Sequence, residues 1–141
     1  MEKPSKILVA YDGSELSKKA LEYAKFLVSD HEQAELEVVT VMMYLGAYDA
    51  YSFKELRKTV ESETSLLVEE VKDMLSSVQN PTSVHMLEGD PSLQIIKLAE
   101  EKGVDTIVLG SRGLGRFKEF FLGSVSHNVV QMAKCPVLIV K

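Results

Sequence analysis

Lys6-Ile7-Leu8-Val9-Ala10-Tyr11-Asp12-Gly13-Ser14 decides how this chain folds. Its apolar residues run on without polar alternation, so Lys6 to Tyr11 reads as a strand buried on both faces. Asp12-Gly13 is a turn signal, and Ser14 is a helix cap whose hydroxyl can accept from an N–H two or three residues on. Leu16, Ala20, Leu21, Ala24, Leu27 and Val28 then recur at helical spacing. A buried strand leading through a tight turn into an amphipathic helix is the first half of a βαβ unit.

The same alternation continues outward. Leu36 to Met43 predicts a second strand, followed by a loop containing Tyr44, Gly46, Tyr48 and Tyr51. Leu56, Val60, Leu67, Val71, Met74, Leu75 and Val78 form the stripe of a long helix, stopped by Asn80-Pro81. Thr82 to Leu87 predicts a weaker third strand. Asp90-Pro91 then supplies a cap and a proline at the first helical position, and Ile95, Ile96 and Ala99 line the helix they start. Thr106 to Leu109 is a fourth strand, and a helix over Ser124 to Lys134 leads to a fifth, Pro136 to Val140. Strands alternating with helices predict one α/β/α sandwich over residues 1–141, with a five-stranded parallel sheet. The expected strand order is 3-2-1-4-5.

Composition narrows the function classes. The chain has 141 residues, 45 % hydrophobic and 26 % charged, with a net charge of −5. No apolar run approaches the roughly 20 residues that span a bilayer. The acidic balance argues against a nucleic-acid partner. The N-terminus lacks the apolar stretch of a signal peptide, and the lone Cys135 suits a reducing compartment, so a cytoplasmic location is expected. Against that acidic background, the segment from Gly110 to Ser124 carries Arg112, Arg116 and Lys118 against Glu119 alone. A basic, glycine-rich stretch on an acidic chain suggests a local anion site.

In an open parallel sheet ligands bind beyond the carboxyl ends of the strands, where the strand order reverses. With the expected order, Asp12 and Gly110 would face one crevice. Glycines at 110, 113, 115 and 123 allow close backbone approach, and their N–H groups could cradle phosphate oxygens. Gly123-Ser124 opens a helix whose N-terminus also favours anions, with Ser124 and Ser126 as added hydroxyl donors. A surface loop whose glycines merely turn the chain is the other reading of these residues. No GxxxxGK[ST] is present, and Gly113-Leu114-Gly115 is a fragment of GxGxxG after the wrong strand.

Gly110-Ser111-Arg112-Gly113, nine residues, then Gly123-Ser124 resembles the G-x2-G-x9-G-[S/T] signature of ATP-binding universal stress proteins. The opening Ile7 to Ser14, Gly89-Asp90-Pro91, Val125 to Val129 and Cys135 to Lys141 are similar to that family as well. The resemblance implies an adenine nucleotide alpha-hydrolase-like fold that binds ATP, AMP or ADP, with Mg²⁺ or Mn²⁺ carried by the nucleotide. Asp12 would then accept hydrogen bonds from adenine or ribose, with Ala10 and Tyr11 in the adenosine wall. Val41 would offer its backbone to the adenine edge, and Leu109 would line the pocket. Gly110, Arg112, Gly113, Gly123, Ser124, Val125 and Ser126 would surround ribose and phosphates. It also implies a homodimer joined through the C-terminal strand.

The remaining chemistry-bearing residues are expected to do less. His31, His85 and His127 share no metal-ligand spacing; His31 is expected to be exposed, His85 structural, and His127 near the anion loop. Cys135 reads as a packing thiol, and the Tyr44, Tyr48, Tyr51 and Phe53 cluster as either a lid or self-packing. No nucleophile–base pair is evident, and Glu119 is the one carboxylate near the phosphates. The expected function is a nucleotide-binding regulatory module with slow or absent ATP hydrolysis. A weak ATPase or nucleotidyl-transfer enzyme and a nucleotide-free dimeric interaction domain are the alternatives.

Overall fold

The computed structural model describes residues 2–42, 51–113 and 122–141, with the side chains of Tyr51 and Ser52 outside that description. Nine elements alternate along them: β1 (Lys6–Ala10), α1 (Glu15–Ser29), β2 (Glu35–Met42), α2 (Tyr51–Leu75), β3 (Thr82–Glu88), α3 (Pro91–Lys102), β4 (Thr106–Gly110), α4 (Ser124–Met132) and β5 (Val137–Val140). The strands form one parallel sheet of order β3-β2-β1-β4-β5, as expected.

Strand periodicity splits the core in two. Ile7, Val9 and Tyr11 point to one face and pack with Ala20, Leu21, Ala24 and Val28 of α1 and Val71 and Leu75 of α2. Leu8 points to the other, with Val39, Ile107 and Leu109, against Ile95, Leu98 and Ala99 of α3 and Val129 of α4. Burial on both faces is why β1 and β4 are apolar runs without alternation, while β2 carries Glu37 and Thr40 into the interior.

Two helix starts are capped as their residues dictate. Ser14 Oγ accepts from Ser17 N–H at 3.2 Å, and Asp90 Oδ1 accepts from Leu93 N–H at 3.0 Å with Pro91 in the first turn. Gly103 ends α3 in the left-handed region, at φ +66°.

Several boundaries differ from expectation. Tyr51, expected in the preceding loop, is the first residue of α2. Leu56, assigned to the buried stripe, is 46 % exposed, and Val78 lies beyond the end of α2 at Leu75 while still packing on the core. β3 continues to Glu88, α4 stops at Met132, and β5 starts at Val137 because Pro136 has no N–H to give the ladder. Met43, Tyr44, Gly46 and Tyr48 lie outside the described residues.

Candidate functional site

A crevice of about 260 Å³ opens at the carboxyl ends of β1 and β4. All twelve site residues expected from the sequence line it, from Ala10 to Ser126. Ser14, Ser17, Val39, Pro91 and Ile95 line it too. Ser14, Ser17 and Val39 are chain neighbours of Asp12 and Val41 that sequence reasoning passed over. Pro91 and Ile95 enter only because β3 and β2 are neighbours and α3 starts above the sheet.

The crevice has an apolar side and a polar one. Val39, Val41, Ile95, Leu109 and Val125 continue the α3/α4 core upward into its wall. β1 and β2 part at this level: their last backbone hydrogen bond runs from Tyr11 N–H to Val39 O at 2.9 Å. Alternate residues of a parallel strand turn both backbone groups toward the same neighbour. Val41, two residues past Val39, therefore presents N–H and C=O to the space beyond the end of β1. A flat heteroaromatic edge can pair with such a donor and acceptor.

At the polar side, Asp12 Oδ1 accepts from Ser14 N–H at 2.9 Å. Its Oδ2 faces Gly113 so closely that a Cβ on that glycine would collide with it. Arg112 is half-buried in the lining, with no carboxylate among the described residues paired to it. α4 starts here without a side-chain cap, in contrast to α1 and α3. Its first backbone bond is His127 N–H to Gly123 O at 2.9 Å, which leaves the N–H groups of the preceding turn for a ligand.

The glycines divide between two causes. Gly123 brings its N–H to Ser111 O at 2.7 Å, and a Cβ there would lie 3.2 Å from Arg112 Cα. Gly110 answers to packing: a Cβ there would lie 2.9 Å from Leu16 Cβ and 3.0 Å from Leu16 C, so α1 can sit on β4 only over a glycine.

Two side chains have roles different from those expected. Ser126 is 4 % exposed, and its hydroxyl donates to Ser111 O at 2.8 Å, with Gly123 O at 3.0 Å. Its proton staples the loop instead of serving as a free donor for phosphate. Tyr11 turns its ring away from the crevice into the α1/α2 core, and its hydroxyl donates to Glu70 Oε1 at 2.5 Å. What Tyr11 offers the crevice is main chain. Burial, reinforced by the Glu70 carboxylate, holds its phenol far above the usual tyrosine range.

Other candidates lie elsewhere. His31 is half-buried rather than exposed, with Nδ1 3.4 Å from Pro4 O. His85 Nε2 lies 2.5 Å from Oε2 of Glu37, a carboxylate only 5 % exposed, which is the structural role expected of it. His127 is exposed on α4. Burial, with a smaller contribution from Asp105, pushes the Cys135 thiol up, away from nucleophilic reactivity. Among the described residues no group of three His, Cys, Asp or Glu side chains could hold a metal ion. Gly115, Arg116, Lys118 and Glu119 lie outside the described residues.

Known proteins share this fold. The model of the Universal stress protein family matches residues 4–141. The chain is 39 % identical to Universal stress protein YxiE of Bacillus subtilis, over 97 % of this chain and 99 % of that protein. The solved structure of MJ0577, a universal stress protein of Methanocaldococcus jannaschii, superposes with a TM-score of 0.89 at 31 % identity, covering 99 % of this chain and 97 % of that one. An Arabidopsis thaliana universal stress protein family protein with AMP bound shares the fold, with a TM-score of 0.71 at 24 % identity over 98 % and 92 % of the two chains.

Proposed function

This chain belongs to the universal stress protein family, and from that premise we propose that its crevice binds an adenine nucleotide, ATP foremost, as a regulatory module with little or no turnover. The observation that carries the reading is the uncapped start of α4 beside Arg112, at the polar end of an otherwise apolar slot. An aromatic base suits the slot, and Val41 supplies a backbone donor and acceptor for its edge. Asp12 suits a ribose or amine donor. The α4 N-terminus, Arg112 and the main chain around Gly113 and Gly123 suit phosphates. The AMP held by the Arabidopsis protein of the same fold is consistent with this class of ligand. A divalent ion, Mg²⁺ or Mn²⁺, would travel on the nucleotide, held mainly by phosphate and water.

Calorimetry with ATP tests the site. Gly123→Val, which crowds the Arg112 backbone, should abolish measurable binding in a folded protein, and unchanged affinity would reject the site. Mass spectrometry of small molecules released on denaturation identifies the resident nucleotide. Hydrolysis should stay below about 1 s⁻¹, the low end of typical enzymes, since no nucleophile–base pair faces the crevice among the described residues.

The proposal extends to assembly and location. β5 is an edge strand, and Val137, Leu138, Ile139 and Val140 carry no charge to discourage pairing. Val130 and Met132 of α4, 44 % and 41 % exposed, add apolar surface on the element before it. A twofold dimer through β5 in the cytoplasm is the arrangement we propose. Sedimentation showing only monomer at tens of micromolar, with and without ATP, would reject it.

A further inference from the structure

The turn that carries Asp12 has the crevice on one side and α2 on the other. Two α2 residues reach it. Leu67 lies against Gly13, whose φ is +84° and where a Cβ would come within 2.7 Å of Leu67 Cδ2. Glu70, three positions on and so on the same helix face, accepts the Tyr11 hydroxyl hydrogen bond. Lys18 of α1 brings its Nζ within 3.7 Å of the same Glu70 oxygen. Both helices of this layer therefore converge on the residue immediately before Asp12. The turn's other side-chain bonds are local: Ser14 N–H to Asp12 Oδ1 at 2.9 Å, and a long one from Asp12 N–H to Ser17 Oγ at 3.4 Å.

We propose that the Tyr11–Glu70 hydrogen bond is a positioning contact that aims the Asp12 carboxylate into the crevice. Tyr11 is 2 % exposed, so its ring is fixed by packing and its tip by Glu70. With both ends of the side chain held, the Tyr11 main chain has one direction in which to leave the sheet, and Asp12 follows it. The Glu70 side chain is 41 % exposed, so water can replace the phenol when the bond is removed. Tyr11→Phe thus costs little global stability and acts locally on the turn, whereas Glu70→Ala also leaves a buried phenol without its acceptor. Its effect on nucleotide affinity rests on the function proposed above; its effect on the turn does not.

The test uses Tyr11→Phe, which keeps the buried ring, with Glu70→Ala and the conservative Glu70→Gln. Amide hydrogen exchange of Ser14 in the nucleotide-free protein reads the turn directly, and calorimetry with ATP and adenosine reads the consequence. Tyr11→Phe and Glu70→Ala should speed Ser14 exchange about tenfold and weaken both ligands by about tenfold, the low end for a lost bond to a charged group. Glu70→Gln, which still accepts from the phenol, should restore most of both. In an Asp12→Ala background Tyr11→Phe should weaken affinity no further. Unchanged Ser14 exchange in Tyr11→Phe overturns the proposal, and so does an affinity loss that persists undiminished without Asp12. A wild-type chain that binds neither ligand rejects the nucleotide site instead, and Ser14 exchange still decides the positioning.

Discussion

Gly113 and Asp12, 101 positions apart in the chain, are so close across the crevice that a Cβ on the glycine would overlap Asp12 Oδ2. The glycine therefore preserves the place of a carboxylate as well as room for a ligand. Removing a hydrogen bond to a charged group costs about 1.5–3 kcal/mol, or roughly 10- to 150-fold in affinity. Asp12→Ala should weaken adenosine and ATP alike by an amount in that range. Gly113→Ala should weaken both by part of it and add little to Asp12→Ala, because both act on one carboxylate. Calorimetry that found adenosine spared and ATP impaired would move Asp12 from the nucleoside to the phosphates.

Gly110→Ala should destabilise the fold by about 1–3 kcal/mol, the range for overpacking a filled interior. The added methyl meets the Leu16 backbone, which cannot swing aside. Gly103→Ala makes a useful contrast. It meets open space and should lose only about 1 kcal/mol, from its left-handed backbone. Urea unfolding of the two variants gives the ranking, and equal losses would contradict it.

Glu37 is buried, and His85 is its hydrogen-bond partner. His85→Ala should destabilise by about 1–3 kcal/mol, the penalty for an unsatisfied buried polar group. Replacing both residues, Glu37→Val with His85→Val, should recover most of that loss, since two apolar side chains leave nothing to desolvate. A double variant weaker than His85→Ala in denaturant unfolding would show that the pair has a further role.

Asp90 caps α3, and its bonds from Leu93 N–H and Ser92 hold its carboxyl below the usual carboxylate value. A group whose pKa is lowered by folding adds stability above its unfolded value and loses that contribution as pH falls through the folded one. Asp90→Ala should therefore cost about 1 kcal/mol near neutral pH, a typical cap, and progressively less below about pH 4. Asp90→Asn, which caps without titrating, should show no such trend. Parallel pH profiles of wild type and Asp90→Asn would disprove the assignment.

The strands and helices were legible because the information is local and redundant, whereas the strand order came as the prior for this alternation of elements. Ile7 to Val9 and Ile107 to Leu109 are apolar without alternation, and Asp90-Pro91 marks a helix start with two independent residues. The glycine spacing located the crevice for the same reason. What escaped was set by encounters between distant segments. Nothing near Ser126 indicates that Ser111 O will take its proton. Nothing near Tyr11 indicates a carboxylate fifty-nine positions away. Gly110 looks like a loop glycine until α1 is placed over it. Tyr51 reads as a loop residue because Tyr44, Gly46 and Tyr48 precede it, although α2 begins there.

Ala10 and Tyr11, neighbours in sequence, face opposite layers, and the apolar wall of the crevice is cut from the α3/α4 layer alone. An engineer wanting a sensor for a different small molecule could randomise Val39, Val41, Ile95 and Val125 without altering the side chains that seat α1 and α2. Tyr11 is a position to hold constant in such a library, because it borders the crevice while its side chain packs in the layer behind it.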